Sequence, residues 1–220
     1  MLNYSRTEEN YIKAIYHLEA GKDSVSTNDL AESLQTKPAS ITDMLKKLKK
    51  KKLVSYQAYY GCRLTLEGKQ LALMIIRRHR LWEYFLSQKL DFSWDEVHDV
   101  AEELEHVSSE KLINKLDAYL GFPRFDPHGD PIPDEKGAIA NDKLISLNNQ
   151  PENKPCIVSK IGNQSVSILE MLEQKNIVIK TRLEIIKKYP FDGSMEVKVG
   201  RSRTTILTKE LAHNIFIKEV

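Results

Sequence analysis

Cysteine is nearly absent from this chain. Its 220 residues hold only Cys62 and Cys156, far apart in sequence. A disulfide framework needs more cysteines, and a thiolate zinc site needs closer spacing. Long apolar runs are missing too. No stretch approaches the roughly 20 residues of a membrane helix. The opening MLNYSRTEENYIK lacks the apolar segment of a secretory signal. A cytoplasmic location with no membrane partner is therefore expected. Neither HExxH nor HxxEH occurs, and no phosphate loop or nucleophile–base pairing stands out, so an enzyme is not expected. Net charge is only +2, so the chain as a whole is not a basic protein.

The charge is unevenly placed. Lys37, Lys46, Lys47, Lys49, Lys50, Lys51 and Lys52 face one acid, Asp43. Between Asp91 and Glu110 there are eight acids (Asp91, Asp95, Glu96, Asp99, Glu102, Glu103, Glu105, Glu110) and no lysine or arginine. The first stretch suits polyanions and the second suits cations.

Periodicity gives the outline. Residues 7–20 read as a helix through Tyr11, Ile12, Ile15, Tyr16 and Leu18, with Thr7 as N-cap and Gly21 as its end. Thr27 caps a short helix, NDLAESL. After QTKP a second helix, ASITDMLKKLKKK, turns Ile41, Leu45 and Leu48 inward, with Pro38 in its first turn. Leu53–Tyr56 and Cys62–Leu66, joined by QAYYG, read as a β-hairpin. The pattern is a winged helix-turn-helix. The N-terminal residues of its second helix reach base edges in a major groove. Here those are Lys37, Pro38, Ala39, Ser40, Thr42 and Asp43. Lys46 and Lys47, with Lys49 and Lys50, neutralise phosphates. The wing tip, Tyr59–Gly61, lies near the neighbouring backbone.

Helical patterns then continue to about Gly121. FPRFDPHGDPIPDEKG, with four prolines and two glycines, reads as a loop. His128 and its prolines read as structural there. The chain from Cys156 is mostly short β-branched runs with one helical insert, SVSILEMLEQ, and suggests a small barrel.

His98, Glu102, Glu105 and His106 stand at i, i+4, i+7 and i+8. At about 100° per residue they share one helix sector roughly 100° wide. Val97, Val100, Ala101, Leu104 and Val107 supply the apolar side. His79 and Glu83 form a second i, i+4 pair. Imidazole with carboxylate, and no thiolate, suits Mn²⁺, Fe²⁺ or Zn²⁺.

These segments together resemble the diphtheria toxin repressor and manganese transport regulator family of metal-dependent repressors. The resemblance is carried by TEENYIKAIYHLE, NDLAESLQTKPASITDMLKKL, RRHRLWEYFL, VHDVAEELEHVSSE and LGFPRFDPHGDPIP, and covers almost the whole chain. It implies a primary metal site of Asn10, Glu102, Glu105 and His106. It implies an ancillary site of His79, Glu83 and His98, joined by Asp126. Iron-responsive members carry Met and Cys where this chain has Asn10 and Glu102. Glu102 matches manganese-responsive members, many of which have Asp at position 10. The short members have Glu where Lys13 stands.

The expected architecture is mainly α with a small β part. A winged helix-turn-helix occupies 1–70, a helical metal-binding and dimerisation domain 71–140, a linker 141–153, and an SH3-like, FeoA-like domain 154–220. Leu71–Leu90 and Leu112–Leu120, with Trp82, Tyr84 and Phe85, are expected at the homodimer interface. The expected function is repression of metal-uptake genes at a palindromic duplex DNA operator, with Mn²⁺ or alternatively Fe²⁺ as co-repressor and Zn²⁺ usable in vitro. The competing readings are a winged-helix regulator sensing an organic ligand and a metalloenzyme fused to a DNA-binding domain.

Overall fold

The computed structural model describes residues 4–106, 109–140 and 142–220. Val107, assigned above to an apolar helix face, lies outside them. The chain forms two compact units. One comprises residues 1–79, 103–114 and 133–138. The other comprises 80–102, 115–132 and 139–220.

The first unit opens with α1 (Arg6–Leu18), α2 (Thr27–Ser33) and α3 (Pro38–Lys50). The cap of α1 is Ser5, not Thr7. Ser5 accepts from the Glu8 amide while the Glu8 carboxylate accepts from the Ser5 amide. The SxxE spacing decides this reciprocal box, and Thr7 has Asn10 three residues on. Likewise Ser26, accepting from Asp29 N at 3.0 Å, caps α2 in place of Thr27. On α3, Pro38 occupies the first turn, and Ile41, Leu45 and Leu48 are fully buried. They pack with Ile12, Ile15, Val25, Leu30, Leu53 and Ile75.

β1 (Val54–Gln57) and β2 (Gly61–Leu64) pair antiparallel to make the wing. Val25 bridges to Cys62 at its base. Gly61 has φ +93°, and a Cβ there would lie 2.5 Å from the Val25 carbonyl oxygen, so only glycine fits. A long helix, α4 (Leu66–Leu90), and two shorter ones, α5 (Val97–Glu105) and α6 (Glu110–Tyr119), come next in the chain. No described helix is long and apolar enough to cross a membrane.

The second unit contains the C-terminal SH3-like β domain. Its six strands are β3 (Ile145–Ser146), β4 (Pro155–Ile161), β5 (Arg182–Lys188), β6 (Met195–Val199), β7 (Arg203–Leu207) and β8 (Ile215–Glu219). They pair antiparallel in the order β3-β8-β4-β5-β6-β7. Two helices, α7 (Val166–Gln174) and α8 (Lys209–His213), pack with them. Val158, Ile161, Leu172, Leu183, Ile185, Val197 and Ile217 form part of the apolar core. The segment 141–153, expected above to be a linker, is partly built into this domain: Ile145 pairs with Ile217, and Leu147 is buried in that core. Two strand residues are too short for an alternation signal.

Residues 122–132 of the proline-rich loop belong to this unit and are fastened to β4. The Ile161 amide donates to the His128 carbonyl at 2.9 Å. Lys160 Nζ and Gln164 Nε2 lie 2.7 and 2.6 Å from the Asp130 carboxylate. Gly129, at φ +87°, sits so close that a Cβ would come within 2.0 Å of the Ser159 carbonyl oxygen.

Candidate metal centre and nucleic-acid interface

The acid-rich helix α5 turns one carboxylate fully inward, while Asp99 and Glu103 stay exposed. Glu105, the last residue of α5, is fully buried. Lys13 Nζ contacts both of its oxygens, at 2.8 and 3.0 Å. His79 Nδ1 lies 2.8 Å from Oε2, and His106 Nε2 lies 3.3 Å from Oε1. Burial raises the Glu105 carboxyl, but the His79 contact and the Lys13 ammonium outweigh it. The group is held below the usual carboxylate range.

Glu9, on α1, is a buried acid that the sequence reading did not single out. Its Oε2 lies 2.7 Å from His106 Nδ1, and its Oε1 accepts from Arg78 Nη2 at 2.8 Å. A carboxylate on Nδ1 fixes the imidazole tautomer and leaves Nε2 as the coordinating nitrogen. The Asn10 Oδ1 atom is buried with no hydrogen-bond partner among the described residues. Such an atom wants a proton or a cation.

In the second unit, His98 Nδ1 lies 3.3 Å from Glu83 Oε1, with the His98 side chain half exposed. Glu83, Asp126 and His128 are buried, each with a donor atom within 4.8 Å of the others'. His128 Nε2 bonds the Trp94 carbonyl at 2.7 Å, in keeping with a structural role, while its Nδ1 lies 4.0 Å from Glu83. Burial, with Glu83 and Asp130 beside it, pushes the Asp126 carboxyl well above its ordinary value, and Arg80 only partly offsets this.

Both cysteines are buried and unbridged. Burial, reinforced by Glu19, pushes the Cys62 thiol up to about 12, and burial pushes Cys156 up to about 11. Neither is a ready thiolate. The donors are oxygen and nitrogen, most of them buried, and they fit a divalent ion of intermediate hardness.

On α3, Lys37, Pro38, Ala39, Ser40, Asp43, Lys46 and Lys47 are exposed along its outer side. Lys37 is the N-cap and makes no side-chain cap bond. Thr42 is half-buried, and its hydroxyl donates to the Pro38 carbonyl at 3.1 Å, which leaves the hydroxyl oxygen as an acceptor. Lys46 Nζ lies 3.4 Å from Asp43. Lys47 and Lys51 reach back to the buried Glu8 at 3.2 and 2.7 Å. At the wing tip, Tyr59 and Tyr60 are 104 % and 72 % exposed.

Three family models divide the chain. Residues 3–62 match the iron dependent repressor N-terminal DNA binding domain, 65–134 its metal binding and dimerisation domain, and 145–219 the FeoA domain. A solved structure of a manganese-dependent transcriptional repressor in complex with manganese is 32% identical, with TM-score 0.87. The match covers 97% of this chain and all of that one. The chain belongs to the diphtheria toxin repressor and manganese transport regulator family.

Other members of this family are similar along most of the chain. The iron-dependent repressor IdeR of Mycobacterium leprae is 26% identical, with 97% of each chain covered. ScaR with bound Cd²⁺ has TM-score 0.81 at 26% identity, covering 97% of this chain and 99% of its own. HTH-type transcriptional regulator MntR of Bacillus pumilus is 33% identical over 52% of this chain and 78% of its own.

Within the predicted ligand sets, Glu105 and His106 come together, as do Glu83 and His98. Glu102 is half-buried on α5, and Asn10 stands on α1 beside Glu9. His79, grouped by the resemblance with Glu83 and His98, also lies against Glu105 of the other set. One signal for Glu9 was present in the sequence. It stands four residues before Lys13 on the α1 helix, so both project from adjacent turns.

Proposed function

We propose that this chain is a divalent-metal-dependent repressor that binds a palindromic duplex DNA operator as a cytoplasmic homodimer and silences metal-uptake genes. Mn²⁺ is the favoured ion, with Fe²⁺ second. Asn10, Glu102, Glu105 and His106 are the proposed primary ligands, and His79, Glu83, His98 and Asp126 the ancillary ones. Residues 1–70 bind DNA and 71–140 bind metal and dimerise.

One observation carries the reading. The donors join α1 of the DNA-binding element to α5, through Glu9 with His106 and Lys13 with Glu105. A bound divalent ion would supply two positive charges to these carboxylates. Glu9 holds His106 in its coordinating tautomer, and the buried Asn10 oxygen offers a donor from α1. Ligation by both helices fixes α1 against α5, and with α1 the recognition helix packed on it. Two such helices in a dimer then match half-sites spaced by a helical turn or a multiple of it. The linkage is reciprocal, so operator DNA tightens ion binding.

The absence of thiolate and the presence of Glu102 support the harder ions. Exposed Leu112, Tyr119 and Phe122 on and after α6 support a dimer face.

The test is operator-fragment binding by chelated protein across titrations of Mn²⁺, anaerobic Fe²⁺ and Zn²⁺. Binding should appear only with metal, with Mn²⁺ acting at the lowest free concentration. Equal binding in chelator would overturn the reading.

A further inference from the structure

Lys13 lies where an added cation would have to go. It projects from α1 three residues after Asn10, and its ammonium spans both oxygens of Glu105 at 2.8 and 3.0 Å. Glu105 is fully buried, and the Lys13 side chain is only 15% exposed. A buried carboxylate left without a cation is strongly destabilising. Lys13 relieves that cost within the chain.

We propose that Lys13 is a tethered competitor for the primary metal site: it neutralises Glu105 in the metal-free protein and must release at least one Glu105 oxygen before an ion can bind. This rests on the metal-dependent reading given above.

The physical argument is one of lone pairs and charge. Each Glu105 oxygen already accepts from an ammonium at hydrogen-bond distance, and each also has an imidazole nitrogen beside it, His79 at Oε2 and His106 at Oε1. An entering ion needs at least one of those lone pairs. The ammonium is covalently tied to the same helix that carries Asn10, so its local concentration does not fall on dilution. Apparent ion affinity is then the intrinsic affinity scaled down to the fraction of molecules in which the pair is open. In the metal-free protein Lys13 also removes the carboxylate repulsion that would otherwise make any cation welcome. The result is a raised threshold: the site fills only when the free ion is abundant.

The experiment uses the full chain, chelated, with Lys13→Met and Lys13→Gln beside the wild type. Lys13→Met keeps most of the apolar stem. Lys13→Gln keeps a neutral donor should the methionine variant fold poorly. Direct Mn²⁺ titration by calorimetry should show both variants binding about 10- to 150-fold more tightly, the range expected for losing a charge-assisted contact. Without metal both variants should melt lower than wild type, and Mn²⁺ should raise their Tm by more than it raises that of wild type.

Unchanged or weaker Mn²⁺ binding in both variants would overturn the proposal and make Lys13 a support for the loaded site. Operator binding measured on the same samples separates the two readings. Tighter Mn²⁺ binding with no metal effect on DNA would sustain Lys13 as competitor and sink the repressor reading. Metal-stimulated DNA binding with unchanged Mn²⁺ affinity would do the reverse. If neither wild type nor variant binds Mn²⁺, both fall.

Discussion

Glu9 and His106, 97 residues apart in sequence, meet at 2.7 Å between Oε2 and Nδ1. The contact ties the first helix to the end of the fifth. It also decides which imidazole nitrogen remains for coordination. Glu9→Ala should therefore weaken Mn²⁺ binding about 10- to 100-fold, the usual effect of losing an orienting carboxylate. Glu9→Gln, whose carbonyl still accepts, should lose less. Calorimetric titration checks both, and an unchanged affinity in Glu9→Ala would remove Glu9 from the site.

Glu105→Ala or His106→Ala should abolish metal-stimulated operator binding while the dimer persists. Gel filtration with light scattering reports the dimer, and fluorescence anisotropy reports DNA. Stimulation that survives either change would mean the primary site lies elsewhere.

Glu8 is buried but accepts from Lys51, the Ser5 amide and Lys47. Burial alone would raise its carboxyl, yet these partners bring it down to about 2. A depressed carboxyl stabilises the fold above its unfolded pKa, and that contribution is lost as pH falls through the range from about 4.5 toward 2. Acid unfolding of the wild type should be steep there. Glu8→Gln should flatten it and cost roughly 1–2 kcal/mol at neutral pH. Parallel acid titrations of wild type and Glu8→Gln would count against this account.

Lys46→Ala and Lys47→Ala should weaken binding to specific and random DNA alike and each lower the salt slope by about one. A loss confined to one base position would instead mark a base contact. Lys47→Ala should leave Tm nearly unchanged, because Lys51 keeps Glu8 paired.

Gly129→Ala should be costly, since the new Cβ would meet the Ser159 carbonyl at 2.0 Å from a backbone at φ +87°. About 2 kcal/mol or more of stability should go, or about 4–8 °C in Tm. A variant melting like wild type would show that the loop does not rest on β4 in solution.

Much of this was legible in the sequence. Ile41, Leu45 and Leu48 announced the inner face of α3 by spacing alone, and all three are fully buried. The donors at 98, 102 and 105 share a helix sector by arithmetic, while His106, expected on the same helix, stands one residue past its end. What escaped depended on tertiary meeting points. Nothing local marks Glu9 as the partner of His106, because helical periodicity describes one helix and not the neighbour it packs on. The contact of His79 with Glu105 was hidden for the same reason. The cap residues were missed by one or two positions because Ser5 and Ser26 stand close to equally plausible threonines. Strand β3 was too short to read. Helix α8, five residues long, offers little more than a turn of pattern.

Glu8 and Glu9 are covalent neighbours, yet successive residues of a helix point about 100° apart. Glu8 holds Lys47 and Lys51 at the far end of the recognition helix, while Glu9 holds His106. Any rotation or slide of α1 that disturbs one must disturb the other. On the proposed reading, a message from ion to DNA would have no long wire to travel: its narrowest point would be a single peptide unit, with α1 a crank that has a handle on each side.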